Sequence, residues 1–282
     1  MLKQLVNYMK DIRDRQRISI ALSKGAAMMP ARNIDLRCPA TWEFSGFSQN
    51  GEDGILDILR RQMKSSNRYF IEIAAADGIE NNTAWLLVAE KYNGIMVEGD
   101  PKLVERARRN VAGYSIGAEC LNMFVTRESA QELYKLAFHH DPDVFSLDID
   151  GNDYYIAEAL FQSGFRPRIF VVEYNAVYGP ERSVTIKYKP DFIFGQAHPT
   201  SLYYGVSITG WRKFFEKQGY HFVTVDRNGV NAFFVDPAYF DKEFLNGVQG
   251  LEFAENQYQY RKFRMPCDQQ FKLIADQEFV EI

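Results

Sequence analysis

Short apolar runs alternate with amphipathic stretches over most of the chain, and this pattern predicts strands and helices in turn. Five runs suit strands that are buried on both faces: Tyr69 to Ala76, Gly94 to Glu98, Tyr114 to Leu121, Val144 to Ile149 and Arg168 to Glu173. The helices expected around them are Glu52 to Met63, Thr83 to Lys91, one that Pro101 opens, Ser129 to Phe138, Asp153 to Ser163 and Ile208 to Gln218. Because parallel strands need crossover connections, the alternation predicts a parallel sheet with helices on both faces.

The end of this pattern differs, because two β-rich runs flank Asn228-Gly229 with no helix between them. That dipeptide is a strong hairpin signal, so the closing strand should run antiparallel to its neighbour. We expect a doubly wound, mostly parallel α/β sheet of about seven strands. Three regions follow from this: an N-terminal helical extension over residues 1–44, the sheet domain over 45–240, and a C-terminal extension over 241–282 that packs on it.

Composition limits the classes of function. The chain of 282 residues is 46% hydrophobic and carries a net charge of -4, so its overall charge gives no reason to expect nucleic-acid binding. Its three cysteines, Cys38, Cys120 and Cys267, lie far apart and suit a reducing compartment. No run approaches the roughly 18 apolar residues of a membrane span, and the first residues lack the apolar core of a signal peptide. A cytoplasmic location is therefore expected.

The first stretch of the chain is amphipathic and basic. Its acids are Asp11 and Asp14, and its basic residues are Lys3, Lys10, Arg13, Arg15, Arg17 and Lys24. Such a helix could touch an anionic membrane surface from outside. It could equally pack on the body of the protein or join two subunits, and the sequence leaves these alternatives open.

Residues that directly follow the strands should line a ligand site, because open α/β sheets bind ligands beyond the carboxyl ends of their strands. After the first strand the chain reads AAADGIE from Ala74 to Glu80, which combines small residues for a tight turn with acids. The acids disfavour a phosphate and favour a ligand with a cationic part, such as an amino group or a sulfonium. Glu98 ends the second strand 20 residues after Gly78, where an acid binds ribose hydroxyls in nucleoside-binding units.

Further acids follow the fourth and fifth strands. Asp148 and Asp150 come after the fourth strand, and Glu173 and Asn175 after the fifth. Because these strand ends should be neighbours, the four side chains are expected to face one cleft. Hard oxygen ligands in this arrangement could hold a divalent cation, Mg²⁺ or Mn²⁺. They could instead supply a general base.

A long polar and aromatic segment runs from Tyr174 to Tyr204, and its position after the fifth strand suits a lid over a substrate. His198 within it is the second candidate for a general base. Aromatic residues and cations such as Arg182 and Lys187 favour a sugar or an acidic glycan as substrate. The same composition would also serve a subunit interface.

Together with their neighbours, these residues resemble the FkbM-type methyltransferases. The matching stretches are Ser48 to Leu56, Phe70 to Gly78, Asn82-Thr83, Val97 to Pro101, Leu147 to Asp153 and Gly229 to Val235. The resemblance implies a class I methyltransferase fold, a Rossmann-like seven-stranded sheet that closes with an antiparallel hairpin. It also implies S-adenosylmethionine as methyl donor and O-methylation, often of sugars or natural products.

The resemblance further implies which residues contact the donor. They are Gln49, Glu52, Glu72, Ala74, Asp77, Gly78, Glu98 and Asp148. Glu98 would hold the ribose and Asp148 would face the amino group, while the residues after the first strand would surround the methionine part. The family usually has glycine where Ala74 stands, and the added methyl group is expected to narrow the approach to the donor.

The sequence therefore predicts an S-adenosylmethionine-dependent O-methyltransferase that acts on a hydroxyl group of a sugar or glycan. Asp150, Glu173 and His198 are the candidate catalytic residues. The acids and asparagine after strands four and five are similar to those of divalent-metal catechol O-methyltransferases, which suggests metal assistance. The alternatives are a donor-binding or scaffold protein without turnover, and a nucleotide-linked oxidoreductase, against which the missing GxGxxG spacing counts.

Overall fold

The computed structural model describes residues 2–115 and 117–282. Ile116, in the middle of the predicted third strand, lies outside the described residues, as does the side chain of Lys3. The strands are β1 Tyr69–Ile73, β2 Asn93–Glu98, β3 Ala118–Asn122, β4 Val144–Leu147, β5 Ile169–Glu173, β6 Val184–Ile186, β7 His221–Val225, β8 Asn231–Val235 and β9 Phe279–Glu281. The α-helices are α1 Leu2–Ala31, α2 Glu52–Gln62, α3 Ala84–Val88, α4 Pro101–Ala112, α5 Ala130–Leu136, α6 Asp153–Ser163, α7 Phe194–Ala197, α8 Ile208–Lys217, α9 Lys242–Gly247, α10 Gln257–Phe263 and α11 Cys267–Phe271.

Seven of these strands form one sheet in the order β3-β2-β1-β4-β5-β8-β7. The first five strands of that order are parallel to one another, and β8 runs antiparallel to both β5 and β7. The predicted fold class, a doubly wound and mostly parallel α/β sheet closed by a hairpin, is therefore confirmed. The chain first adds β2 on one side of β1 and later adds β4 on the other side. The switch point of the sheet therefore lies between β1 and β4, where such sheets bind ligands.

Two hydrophobic cores cover the two faces of the sheet, because successive strand residues point to opposite sides. On β1, Phe70 packs into a core with α2 and α4, while Ile71 packs into a core with α5, α6 and α8. The same alternation places Val144 in the first core and Phe145 in the second. Both faces of the sheet are buried, which explains why the sequences of these strands are continuous apolar runs.

The N-terminal and C-terminal extensions share these cores. Ile18 and Ala21 of α1 are buried in the first core, and Gly25 of α1 lies directly on the Trp85 ring. A Cβ atom on Gly25 would come within 2.2 Å of that ring, so the close helix contact requires glycine. At the other end, β9 pairs with β6 and Ile274 packs in a small third core. The boundaries proposed after residues 44 and 240 therefore stay a prediction about independent folding.

The structure shortens the strands that precede the site. β1 ends at Ile73 rather than Ala76, since Ala74 and Ala76 adopt left-handed backbone angles, with φ of 65° and 49°. β4 ends at Leu147 rather than Ile149, so Asp148 and Asp150 lie in the loop beyond the strand. The segment from Tyr174 to Tyr204 also holds elements that the sequence pattern did not predict, namely β6, α7 and the 3₁₀ helix Ala176–Tyr178.

In the described part of the chain, no helix combines the length and the apolar character that a membrane crossing requires. The longest, α1, has 30 residues and alternates basic with apolar positions.

Candidate functional site

A cleft opens where the carboxyl ends of β1, β2 and β4 meet, and it consists of three adjoining cavities. The strand-end cavity, about 400 Å³, lies over Ala74, Glu98 and Asp148. The inner cavity, about 90 Å³, lies between Glu52, Glu72 and Asn231 and shares Ala74 and Asp148 with the first. The tail cavity, about 660 Å³, extends from Asp150 and Glu173 to helix α10. The adjoining walls place all three at the switch point of the sheet.

Glu98 is held at the edge of the strand-end cavity by backbone groups. Its Oε2 accepts a hydrogen bond from the Ala76 amide at 3.0 Å, and its Oε1 accepts one from the Asp100 amide at 2.9 Å. Asp100 in turn caps α4 by accepting from the Lys102 amide at 2.8 Å. Carboxylate oxygens carry more than one lone pair, so Glu98 keeps acceptor capacity for a ligand. Its place agrees with the ribose contact that the sequence predicted.

The far wall of the strand-end cavity is apolar. Met123, Phe124, Val125 and Ile149 line it, and Phe124 is 63% exposed. A large aromatic side chain left open beside a cleft suits a flat, partly apolar ligand group. The strand-end cavity thus offers one wall for a ring and one fixed acid for hydroxyl groups.

The inner cavity holds two buried acids that the sequence assigned to the donor. Glu72 accepts hydrogen bonds from the Asn82 amide at 2.8 Å, from the Thr83 amide at 3.1 Å and from the Thr83 hydroxyl. Burial raises the pKa of Glu72 to about 7, although these donors oppose the shift. Glu52 accepts from the Asn50 amide at 2.6 Å and from the Asn231 side chain at 2.7 Å.

Asn231, which lines the inner cavity, has one buried acceptor without a partner in the described part of the chain. Its Nδ2 donates to Glu52, but its Oδ1 has no hydrogen-bond partner among the described residues. An orphaned buried carbonyl oxygen costs free energy unless a donor reaches it. Together with Glu72 and Asp148, this oxygen makes the inner cavity a place for a cationic donor group such as an ammonium. The sequence contained Asn231 in the stretch Gly229 to Val235, but no pattern singled it out.

Ala74 lies where the strand-end and inner cavities join, and it has the left-handed conformation that favours glycine. A non-glycine residue in this conformation costs roughly 1–2 kcal/mol. The structure thus gives the physical reason for a glycine at this position in the FkbM-type pattern, and it shows that alanine keeps the turn.

Two other residues of the same loop serve packing rather than the cavities. The Asp77 carboxylate pairs with Arg17 of α1 at 2.6 Å and with Arg106 of α4 at 3.2 Å. Gly78, with φ of 73°, packs against Ala107 of α4 so closely that a Cβ atom on Gly78 would crowd the Ala107 side chain. Neither residue lines the strand-end, inner or tail cavity, so the donor contacts implied for Asp77 and Gly78 gain no support and stay predictions, while both residues fix the loop onto its neighbouring helices.

Gln49 stands between the cavities and the loop. It lines both the inner and the tail cavity, and its Nε2 donates to Glu80 at 2.7 Å. The position agrees with the predicted closure of the site from the side.

Three acids converge where the cavities meet. One oxygen from each of Asp148, Asp150 and Glu173 lies within 4.8 Å of the other two. Burial, and then the negative charge of its neighbours, raises the pKa of Asp148 and of Glu173 well above the usual range. Burial also raises the pKa of Asp150. The cluster therefore needs a shared proton or a cation to offset its mutual repulsion.

Asn175 does not join this cluster. Its Nδ2 donates to the Leu202 and Tyr204 carbonyls at 2.8 and 3.0 Å, and its Oδ1 accepts from the Val177 amide at 3.1 Å. The side chain is fully buried and anchors the lid segment to β5. The prediction of Asn175 as a metal ligand is therefore corrected to a structural role.

His198 is also placed differently from the prediction. It follows α7, and its Nδ1 is hydrogen bonded to the Thr200 hydroxyl at 2.7 Å. It does not line the strand-end, inner or tail cavity. The structure therefore gives no support to His198 as the base.

Tyr204 takes a place beside the acids that sequence reasoning did not assign to it. Its hydroxyl donates to Glu173 Oε1 at 3.3 Å and accepts from Gln259 of α10 at 3.2 Å. The sequence counted Tyr204 only among the aromatic residues of the lid. The bond from Gln259 connects the C-terminal extension directly to the acid cluster.

Several solved structures are distantly similar to the chain. An O-methyltransferase from Bacillus cereus in complex with SAH is 16% identical, covers 78% of this chain and 89% of its own, and has a TM-score of 0.43. The SAH-bound Podospora anserina methyltransferase PaMTH1 is 11% identical, covers 64% and 75%, and also has a TM-score of 0.43. The Methanococcus jannaschii fibrillarin pre-rRNA processing protein is 12% identical, covers 66% and 73%, and has a TM-score of 0.41. Likeness at this level decides neither activity nor substrate. No protein-family model and no curated protein matches the sequence.

Proposed function

We propose that the protein is an S-adenosylmethionine-dependent O-methyltransferase that methylates a hydroxyl group of a sugar or glycan, as its resemblance to the FkbM-type methyltransferases suggests. The observation that carries the proposal is the continuity of the cleft at the switch point. Glu98 is fixed at the edge of the strand-end cavity, which opens into an inner cavity with buried acids and an orphaned acceptor.

The chemistry of these two cavities fits the donor. Glu98 would accept from the ribose hydroxyls, and the wall of Met123, Phe124 and Ile149 would face the adenine. Asn231 Oδ1 and Asp148 would accept from the ammonium group. When bound, S-adenosylmethionine supplies a sulfonium methyl group that is already activated for displacement.

The tail cavity is the proposed acceptor site, because it shares Asp150 with the strand-end cavity and Gln49 and Asn50 with the inner cavity. Its wall on α10 presents Gln257 and Tyr258, together with the exposed cations Arg261 and Lys262. Amides and an aromatic face suit sugar hydroxyls and ring carbons. The two cations favour an acceptor that carries an acidic group, in a chain whose net charge is otherwise negative.

Asp150 and Glu173 are the proposed groups that take the proton from the acceptor hydroxyl. Their raised pKa values make their carboxylate forms stronger proton acceptors than ordinary carboxylates. Glu173 would be positioned by the Tyr204 hydroxyl, and the cleft walls would hold the acceptor in line with the methyl group.

A divalent cation fits the same cluster. Three carboxylate oxygens within 4.8 Å are a hard-oxygen donor set, and their mutual repulsion would be relieved by positive charge. Asp148, Asp150 and Glu173 would hold the ion. When bound, Mg²⁺ or Mn²⁺ lowers the pKa of a coordinated hydroxyl group.

The first test is calorimetric titration of S-adenosylhomocysteine into the full chain, into Glu98→Ala and into Glu105→Ala. Glu105 is an exposed acid on α4, outside the cleft, and serves as the matched control. We expect binding by the wild type and by Glu105→Ala, and at least about tenfold weaker binding by Glu98→Ala, as for loss of a charged hydrogen-bond partner. A folded wild-type protein that fails to bind would refute the donor site.

The acceptor proposal needs a separate test with matched oligosaccharides. We would measure donor consumption with uronic-acid oligosaccharides and with the same oligosaccharides after reduction of their carboxyl groups. The assignment of the tail cavity is supported if the wild type methylates the acidic form and the double variant Arg261→Gln/Lys262→Gln methylates it more slowly. Preference for the reduced form would contradict the role of the cations and leave the donor site intact.

A further inference from the structure

Helix α1 presents an apolar stripe on its outer face that nothing in the described part of the chain covers. Leu5, Tyr8, Met9 and Ile12 stand at positions i, i+3, i+4 and i+7, so they lie on one side of the helix. They are 55%, 63%, 62% and 39% exposed, respectively. Single exposed apolar residues are ordinary, but a contiguous stripe on one helical face marks an interaction surface.

The stripe points away from the body of the protein. The residues by which α1 packs on the body are Asp14, Ile18, Ala21 and Gly25, all buried and at helical spacing from one another. On a helix with roughly 100° between successive residues, their side lies opposite the stripe. The stripe therefore remains accessible while α1 stays docked on the sheet domain.

Basic residues flank the stripe. Arg13 and Arg15 are exposed on its two sides, each less than about 100° around the helix from its centre. In the described part of the chain Arg15 has no acidic partner within 4.0 Å. The nearby acid Asp11 is turned toward Arg109 of α4 at 3.6 Å. The rim of the stripe is thus positive, although the chain as a whole carries a charge of -4.

This charge pattern decides between two occupants. A second copy docked stripe to stripe would bring two positive rims together with few acids between them, which disfavours association. An anionic lipid surface would accept the apolar side chains below its headgroups and the cations among them. We propose that the outer face of α1 binds the protein peripherally to an anionic membrane surface.

The experiment is sedimentation of the full chain with vesicles of phosphatidylglycerol and phosphatidylcholine in equal parts, and with vesicles of phosphatidylcholine alone. We expect binding to the anionic vesicles only, and weaker binding as salt is raised. The double variant Leu5→Gln/Met9→Gln should bind at least about tenfold more weakly, since it loses apolar side chains that binding would bury.

A matched control replaces two exposed apolar residues outside the stripe. Met28 and Leu36 are 44% and 43% exposed and lie off the stripe, so Met28→Gln/Leu36→Gln should bind the vesicles like the wild type. Equal sedimentation with both vesicle types, or an equal loss in both double variants, would overturn the proposal. A dimer in sedimentation equilibrium that Leu5→Gln/Met9→Gln dissociates would also overturn it, in favour of self-association.

Discussion

The two sides of the cleft hold their acids in different ways. On the side of the strand-end and inner cavities, Glu98 and Glu72 accept hydrogen bonds from backbone amides of the loop after β1 and of neighbouring turns. On the other side, where these cavities adjoin the tail cavity, Asp148, Asp150 and Glu173 face one another, and Tyr204 supplies a hydroxyl donor to Glu173. Backbone donors partly offset the burial of a negative charge, whereas neighbouring acids add to its cost.

The first side of the cleft is therefore preformed, whereas the acids of the second side need a positively charged partner. The pKa of Glu72 rises only to about 7 because three donors oppose its burial. The pKa values of Asp148 and Glu173 rise well above the usual range because burial and like charges act in the same direction. The first side can bind a ligand as it stands, and the second becomes fully ionised only with a cation.

The largest expected effect tests the second side directly. We predict that the protein binds Mn²⁺ and that Asp150→Asn weakens this binding about 100-fold or more, since even outer partners of a metal site cost roughly 10- to 100-fold. Mn²⁺ titration followed by electron paramagnetic resonance measures the affinity without an acceptor. Asp191→Asn, an exposed acid of the lid, is the control. If the protein binds no Mn²⁺ at millimolar concentration, the proposed metal site is refuted. Proton transfer is then the remaining role for these acids.

A smaller effect is expected from the buried acid of the first side. Below its ordinary pKa of 4.5, Glu72 is protonated in both the folded and the unfolded chain. Between that value and about 7 the unfolded chain releases the proton and the folded chain keeps it, so the free energy of unfolding falls as pH rises. The shift corresponds to roughly 3 kcal/mol lost across this window.

Urea unfolding at pH 5 and pH 8 measures this loss as a difference between wild type and Glu72→Gln. The variant cannot titrate at this site, so its stability should fall less between the two pH values. Other buried acids with raised pKa values, such as Asp53 and Asp226, contribute equally to both proteins and cancel. Glu105→Gln should follow the wild type. Parallel pH curves for wild type and Glu72→Gln would show that the Glu72 proton is not retained on folding.

The same contrast explains how much the sequence could predict. The acids of the first side lie at the ends of β1 and β2, and backbone groups nearby fix them. Strand pattern and spacing were enough to point to Glu98, whereas only the resemblance to FkbM-type methyltransferases pointed to Glu72. The mostly parallel sheet and the closing hairpin were predictable, since they follow from local periodicity and from Asn228-Gly229.

Contacts distant along the chain set the limits of that prediction. Asn175 has the right residue type and position for a metal ligand, but carbonyls of Leu202 and Tyr204 use its amide. Asp77 has the right position for a donor contact, but Arg17 from α1 takes its carboxylate. The tail cavity depends on the packing of α10 beside β5, a contact that no local sequence pattern predicts. Tertiary hydrogen bonds and ion pairs overrode residue type in each case.

The smallest expected effect concerns that ion pair between α1 and the first side. Arg17 binds Asp77 at 2.6 Å and Glu80 at 3.1 Å, and Gln49 binds Glu80 as well, so α1 holds the loop that turns between the strand-end and inner cavities. Partly exposed ion pairs contribute ~0.2–1 kcal/mol, and we therefore predict up to about fivefold weaker binding of S-adenosylhomocysteine by Arg17→Gln.

Calorimetry on Arg17→Gln and on Arg15→Gln separates loop support from general charge. Arg15 lies on the exposed side of the same helix and has no acidic partner within 4.0 Å in the described part of the chain. Arg15→Gln should therefore bind like the wild type, and added salt should narrow the difference between the two variants. Identical affinities for both variants would mean that the loop keeps its shape without α1. The preformed side of the cleft would then owe its order to its backbone hydrogen bonds and to the remaining pair of Asp77 with Arg106.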